Sequence, residues 1–445
     1  RTTSDMDRML RANLPQTARR KIGNVGWVLG ERGMAEQIAC CVMTRVARAL
    51  GPEGFGAYVY IFSLTMLLGP IAHFGMSEIL VRESVARPTD RHAVFGSAMA
   101  LTSFFAFIGV LSGIAIVAVF GGPPGVTPWL MLLACSQLMV IPIETTWAWF
   151  KADERMGLVV VPRIIVALGI AVTAIHLVQN GYGLDAFVAL RAGEQGCIAV
   201  PALAVFAWAT GALHRLKISW REIRHLFSAG LPLMISMLAT ILYMRIDQVM
   251  LGQMATADEL GRYGLAVRVS EVALVVPMAL GTSFFASIIR AEARGTLPEQ
   301  SQRLYDAMTL ATLLAGLTLA VAAIFLFEPI FGAAFADGLW PTLILILGLP
   351  LYSWGIAREK VLLARRQYWL TPVIALCGAA LNIGLNLALI PHFGGIGAAW
   401  ATVATFLATA LGVAIIVPPL RSDAGGMPCS LKLWRATQRL HRALA

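Results

Sequence analysis

Apolar runs of about twenty residues or more recur along this chain, each closed by a short loop, and that recurrence constrains the fold more than any other feature. A bilayer core offers no water, so the backbone groups of a spanning segment must be satisfied within it, and runs lacking the period-two alternation of barrel strands do so as helices. Spans are expected near 24–48, 54–77, 94–120, 127–150, 158–178 and 186–213, then near 229–252, 260–289, 304–327, 339–363, 370–390 and 395–418. The predicted fold class is therefore an all-α polytopic membrane protein of about twelve transmembrane helices. Only 13% of residues are charged, against about a quarter in soluble domains, so too little polar surface exists for a soluble enzyme.

The formal charge of +10 raises nucleic acid as a partner, but the cations lie between apolar runs and form no basic face, so none is expected. Their placement sets topology instead, because Lys and Arg in short loops resist translocation. One side receives Arg19, Arg20 and Lys21; Arg82, Arg87 and Arg91; Lys151, Arg155 and Arg163; Arg215, Lys217, Arg221 and Arg224. It also receives Arg290, Arg294 and Arg303, then Arg358, Lys360, Arg365 and Arg366, then a basic tail. The opposite loops at 121–127, 179–185, 328–338 and 391–395 carry no Lys or Arg, which predicts both termini on the cytoplasmic side. Arg45, Arg48 and Arg262 are exceptions at helix ends. No secretory signal is read near the start of the chain.

The expected organisation is a cytoplasmic segment 1–23, a first lobe 24–213, a linker 214–228, a second lobe 229–418 and a tail 419–445. The linker, HRLKISWREIRHLF, interleaves cations with Leu216, Ile218, Trp220, Ile223 and Leu226, as suits an amphipathic helix lying at the cytoplasmic interface. The tail LKLWRATQRLHRAL repeats that pattern, although a solvated tail is its simpler reading. Leu50, Gly51, Gly56 and Tyr58 match Leu251, Gly252, Gly261 and Tyr263, and Pro162 matches Pro372 as a span opener. These pairs suggest two six-helix lobes related by a pseudo-two-fold axis along the membrane normal, a transporter arrangement.

Ionisable groups inside spans are costly and therefore informative. Glu31 and Arg32 lie in the first span, Arg191 in the sixth, Arg245 and Asp247 in the seventh, and Arg268 and Glu271 in the eighth. Arginine forks bind phosphate in bidentate fashion and stay charged when desolvated, so Arg32, Arg245, Arg268 and Arg191 are candidate ligands for an anionic substrate. Glu31, Asp247 and Glu271 would pair with those arginines or take part in ion coupling; Arg268 and Glu271, three apart, share a helix face. Glu144 beside Trp147 could contact a sugar, or mark an interfacial aromatic belt. Asn382 and Asn386, four apart, are expected to satisfy hydrogen bonds between helices rather than bind ligand. The cysteines form no CxxC pair, the histidines no HExxH, and GGPPG near 121 lacks the GK[ST] of a phosphate loop, so neither metal nor cofactor is expected beyond a proton or sodium gradient.

The segments RVARALGPEGFGAY, YMRIDQVMLG, YGLAVRVSEV and LNIGLNLALIPHFGGIGAAWAT resemble the bacterial polysaccharide transporter, or O-antigen flippase, family. That family sits in a superfamily with multidrug extruders and peptidoglycan-precursor flippases. The resemblance implies an inner-membrane flippase for undecaprenyl-diphosphate-linked oligosaccharide, not an enzyme, working beside membrane lipids and a polysaccharide polymerase with its chain-length machinery. It implies that the diphosphate pairs with Arg32, Arg245 or Arg268. Alternatives are an ion-coupled multidrug exporter, against which the arginines count, a membrane glycosyltransferase or polymerase, against which the short outer loops count, and a channel.

Overall fold

Low polarity and the absence of strand periodicity produce helix nearly everywhere. In a computed structural model the described backbone covers residues 16–153, 155, 157–211, 213–367, 369–412, 427–431 and 437–438, with side chains from 42 onward except 159 and 213. No strand occurs among these residues, and ten helical stretches are long and apolar enough to cross a membrane. The chain is a multi-pass, all-helical membrane protein.

It divides into two compact units. The first comprises 1–49, 68–119 and 128–234, and the second 50–67, 120–127 and 235–445. The stretches 50–67 and 120–127 group with the second unit, and 229–234 with the first.

The expected gap between the first two spans falls inside one helix, α1 (Gln16–His73), and that between the last two inside another, Leu370–Leu407. Each is broken at a glycine. Gly51 adopts φ 66, ψ 175 and Gly394 φ 52, ψ −130, left-handed values that L side chains seldom adopt. The second break is pinned by Glu259, whose carboxylate accepts the Gly395 amide at 2.8 Å.

The matched Gly-x-Tyr motifs meet in the second unit. A β-carbon on Gly56 would strike the Ala257 carbonyl, and one on Gly261 would strike the Pro52 carbonyl. Only paired glycines allow these two backbones to touch, which is how small residues bring membrane helices together. Arg262, one exception to the charge rule, is neutralised by Asp258 at 2.8 Å and Asp337 at 3.0 Å.

In the first unit the cations expected on the cytoplasmic side are used structurally. Arg87 grips both oxygens of Glu222 at 3.1 Å and also holds Glu83. The Glu222 hydrogen bond, joined by Glu83, keeps the Arg87 guanidinium above the usual arginine range despite partial loss of solvation. Arg91 pairs with Asp153 at 3.0 Å and lies 3.7 Å from the Trp149 ring centre, while Lys151 pairs with Glu78.

One expectation about a flanking segment needs correction. The stretch 214–228 is not one interfacial helix: 216–219 is non-helical, and Trp220 opens a 35-residue helix, Trp220–Met254. The reason is backbone pairing, since the Lys217 amide donates to His92 O and the Ser219 amide to Ser97 Oγ. A short helical turn, 427–430, just ahead of the expected tail pattern at 431–444, is packed against the second unit. Met427 and Ser430 are buried, with Ser430 hydrogen-bonded to Thr309 at 2.7 Å. Most of 419–445 and the segment 1–15 lie outside the described residues.

Candidate functional site

Three helices of the second unit build the charged cluster. The lower half of Trp220–Met254 supplies Arg245 and Asp247, Ala257–Glu271 supplies Arg268 and Glu271, and Leu349–Ala364 supplies Tyr352 and Arg358. Spacing explains the local geometry: Arg268 and Glu271 stand three residues apart on one face and meet at 3.4 Å. Glu271 also binds Arg245 at 2.7 Å, so one carboxylate faces two guanidiniums.

Burial distinguishes the two arginines. The Arg245 side chain is 7% exposed and that of Arg268 40% exposed. Arg245 Nη1 is buried with no hydrogen-bond partner among the described residues. An unsatisfied buried donor costs roughly 1–3 kcal/mol, and more when charged, so an anionic acceptor at this nitrogen would recover it. Tyr352 lies within electrostatic reach of Glu271, Glu359 and Arg245.

Asp247 is directed elsewhere, although it is two residues from Arg245. Its carboxylate, 4% exposed as a residue, accepts from the Tyr263 hydroxyl, from Thr402 at 3.4 Å and from the Gln248 amide at 2.8 Å. Gln248 in turn accepts from Ser63 at 2.6 Å. A carboxylate taken this far from solvent needs such donors or a cation.

A cleft in the same unit is lined by Tyr243, Tyr352, Arg358, Glu359, Thr371 and Thr409. The Phe406 ring stands 5.6 Å from Tyr243 and 5.2 Å from Tyr352, giving an aromatic wall beside hydroxyls and a carboxylate. Arg358, which the sequence places among the topology-setting cations, is buried and donates to the Thr409 carbonyl in a short π-helical turn, Ala408–Gly412.

The remaining sequence candidates fall elsewhere. Glu144 and Trp147 come together in the first unit around Arg163, which lies 4.9 Å from the Trp147 ring centre and acts electrostatically on Glu144. Trp147 Nε1 is buried without a partner among the described residues. Arg191 pairs with Glu194 one turn along its own helix in the first unit. Glu31 and Arg32 belong to α1, but their side chains lie outside the described residues. Asn382 donates to Thr405 at 3.3 Å across the break at Gly394, a bond between helical segments as expected, while Asn386 donates to Asn382 Oδ1 at 2.8 Å within its own helix. The residues that sequence reasoning missed, Tyr263, Thr402, Tyr352 and Tyr243, look like ordinary span residues; only Tyr263 carried a signal, as part of the repeated Gly-x-Tyr motif.

Comparison with known proteins gives a consistent result. Residues 23–285 match the family described as polysaccharide biosynthesis protein. A Shigella flexneri protein named "Putative O-antigen transporter" is 23% identical over 286 residues, 59% of this chain and 65% of its own length. The chain thus spans slightly less than two thirds of that relative. The "Probable low-salt glycan biosynthesis flippase" of Haloferax volcanii is 22% identical over 370 residues, 82% of this chain and 76% of its own length. Among solved structures, the lipid II flippase MurJ in an inward closed conformation superposes with a TM-score of 0.72 at 13% identity, covering 92% of this chain and 91% of that one. At that identity the likeness is one of fold.

Proposed function

We propose, for a chain that belongs to the polysaccharide biosynthesis protein family, that it carries a lipid-linked oligosaccharide across the bacterial inner membrane, with Arg245 and Arg268 receiving the phosphates that join glycan to lipid. The observation that carries this reading is the single Glu271 carboxylate shared by two arginines, one of them buried with a donor nitrogen unsatisfied. A phosphate offers more acceptor oxygens than a carboxylate and can occupy both forks at once. The naming of a relative as a glycan flippase supports the same substrate class.

In this reading the carrier is undecaprenyl diphosphate and the direction is from cytoplasmic to periplasmic leaflet. Twelve crossings with both termini cytoplasmic belong to this reading; the breaks at Gly51 and Gly394, at the expected loops, support the count, and the placement of Lys and Arg supports the orientation. Glu271 holds the site together when it is empty and yields to the phosphate when substrate arrives. The cleft walled by Tyr243 and Tyr352 offers the sugar a stacking surface and hydroxyls, and Glu144 with Trp147 provides a second such surface in the first unit. Asp247, enclosed by Tyr263 and Thr402, is the group we assign to coupling with a proton or sodium gradient.

The test is translocation in vesicles of a fluorescent undecaprenyl-diphosphate oligosaccharide beside the same glycan on an uncharged lipid. The account expects the first to cross and the second not. Equal movement of both would remove phosphate recognition from the account, and movement of neither would remove the flippase.

A further inference from the structure

We propose that the segment 217–231 forms a binding site for the headgroup of an anionic phospholipid, independent of the translocated substrate. The cations of the first unit divide into two classes. Arg87, Arg91 and Lys151 are each answered by an acid, namely Glu222 with Glu83, Asp153, and Glu78. Lys217, Arg221 and Arg224 are exposed and have no acidic partner among the described residues. Among the described residues their charge is left unanswered.

Helix geometry then selects a lipid. Glu222, Leu226 and Gly230 recur every four residues and are buried, so they mark the inward face of the helix. Arg224, midway between the first two, points away from that face, and Trp220, Phe227 and Leu231 share its outward side. Trp220 is 78% exposed and Ile218, just before the helix, 69% exposed. Bare aromatic and aliphatic surface continuous with three cations suits neither water nor a soluble polyanion. It suits a bilayer boundary, where the tryptophan sits at headgroup level, Phe227 and Leu231 meet acyl chains, and the cations reach the phosphate.

The backbone that carries the cations is also held in place. The Lys217 amide donates to His92 O at 3.2 Å, and Ser219 is tied to Ser97 through both its amide and its carbonyl. Arg87 fastens the first turn of the helix through Glu222. The site is therefore preformed, and binding need not order the segment.

The experiment is native mass spectrometry of the full chain in detergent, titrated with phosphatidylglycerol and phosphatidylcholine in the absence of any glycan substrate. The wild type is expected to retain phosphatidylglycerol in preference, and Lys217→Ala, Arg221→Ala and Arg224→Ala to weaken it about fivefold each. The combined exchange Lys217→Arg, Arg221→Lys and Arg224→Lys is expected to keep the preference, because headgroup attraction depends on charge. Lys151→Ala removes one cation already paired with Glu78 and is expected to change nothing. A preference unaltered by Arg224→Ala, or reduced as much by Lys151→Ala, would overturn the proposal. Should a variant lose folded yield, Arg224→Lys beside Arg224→Ala decides, since both alter only an outward side chain. Inorganic phosphate displacing the lipid at low millimolar concentration would also overturn it, by showing a site for a free anion.

Discussion

Arg245 and Glu271, on neighbouring helices of the second unit, meet at 2.7 Å, while the other Glu271 oxygen turns to Arg268 at 3.4 Å. One acid thus holds two guanidiniums from adjacent helices, with the more buried of them still short of an acceptor. Removing the acid strands a buried charge. Breaking a buried pair by deleting one partner costs about 3–5 kcal/mol, and partial exposure of Glu271 places this one toward the lower end. Glu271→Ala is expected to lower the unfolding midpoint in detergent, and the double variant Glu271→Ala with Arg245→Met to recover most of it.

Asp247 gives a contrasting expectation. Tyr263→Phe deletes one hydroxyl and leaves the carboxylate without its shortest donor, so stability should fall by about 1–3 kcal/mol. Asp247→Asn keeps the volume and an acceptor oxygen and should fold at near wild-type yield. Under the coupling role proposed above, that variant should lose the dependence of transport on an imposed ion gradient while still binding substrate. Gradient dependence retained in Asp247→Asn would place coupling elsewhere.

The crossing of Gly56 and Gly261 leaves no room for a methyl group, since each would meet a backbone carbonyl that cannot rotate away. Gly56→Ala or Gly261→Ala should cost about 1–3 kcal/mol through overpacking and reduce membrane yield. Gly193→Ala, in a helix with nothing within 4 Å of the added carbon, should be neutral or slightly stabilising. Thermal stability of the purified variants separates close packing from a general intolerance of larger residues.

Arg87 and Glu222 make a two-bond fork at 3.1 Å. Arg87→Lys keeps the charge but not the fork. With Arg87 about one third exposed, solvent screens much of the pairing, and the expected loss is about 1 kcal/mol. Raising salt should narrow the difference between the two proteins in unfolding assays.

Much of this was legible in the sequence, and the parts that were not share a cause. Apolar runs are a local signal, so the spans could be read directly, and so could the breaks at Gly51 and Gly394, which coincide with expected loops. Spacing on one helix also foretold Arg268 with Glu271. Partners on different helices carry no such signal: nothing in YMRIDQVML shows that Arg245 would take Glu271 while Asp247 took Tyr263. Arg358 stands at the end of an expected span among the cytoplasmic-side cations, and nothing in the sequence shows that the carbonyls of a π-helical turn hold it. The stretch 214–228 looked like an independent amphipathic helix because its composition is interfacial; its backbone is instead pinned at Lys217 and Ser219.

The central claim, that Arg245 recognises phosphate through its fork, is tested most directly by transport of a fluorescent undecaprenyl-diphosphate oligosaccharide into vesicles holding equal amounts of wild type, Arg245→Lys and Arg245→Ala. Loss of a charged hydrogen bond of about 1.5–3 kcal/mol predicts a fall of roughly ten- to a hundredfold in both variants, with lysine recovering little. Wild-type rates in the correctly folded variants would contradict the claim.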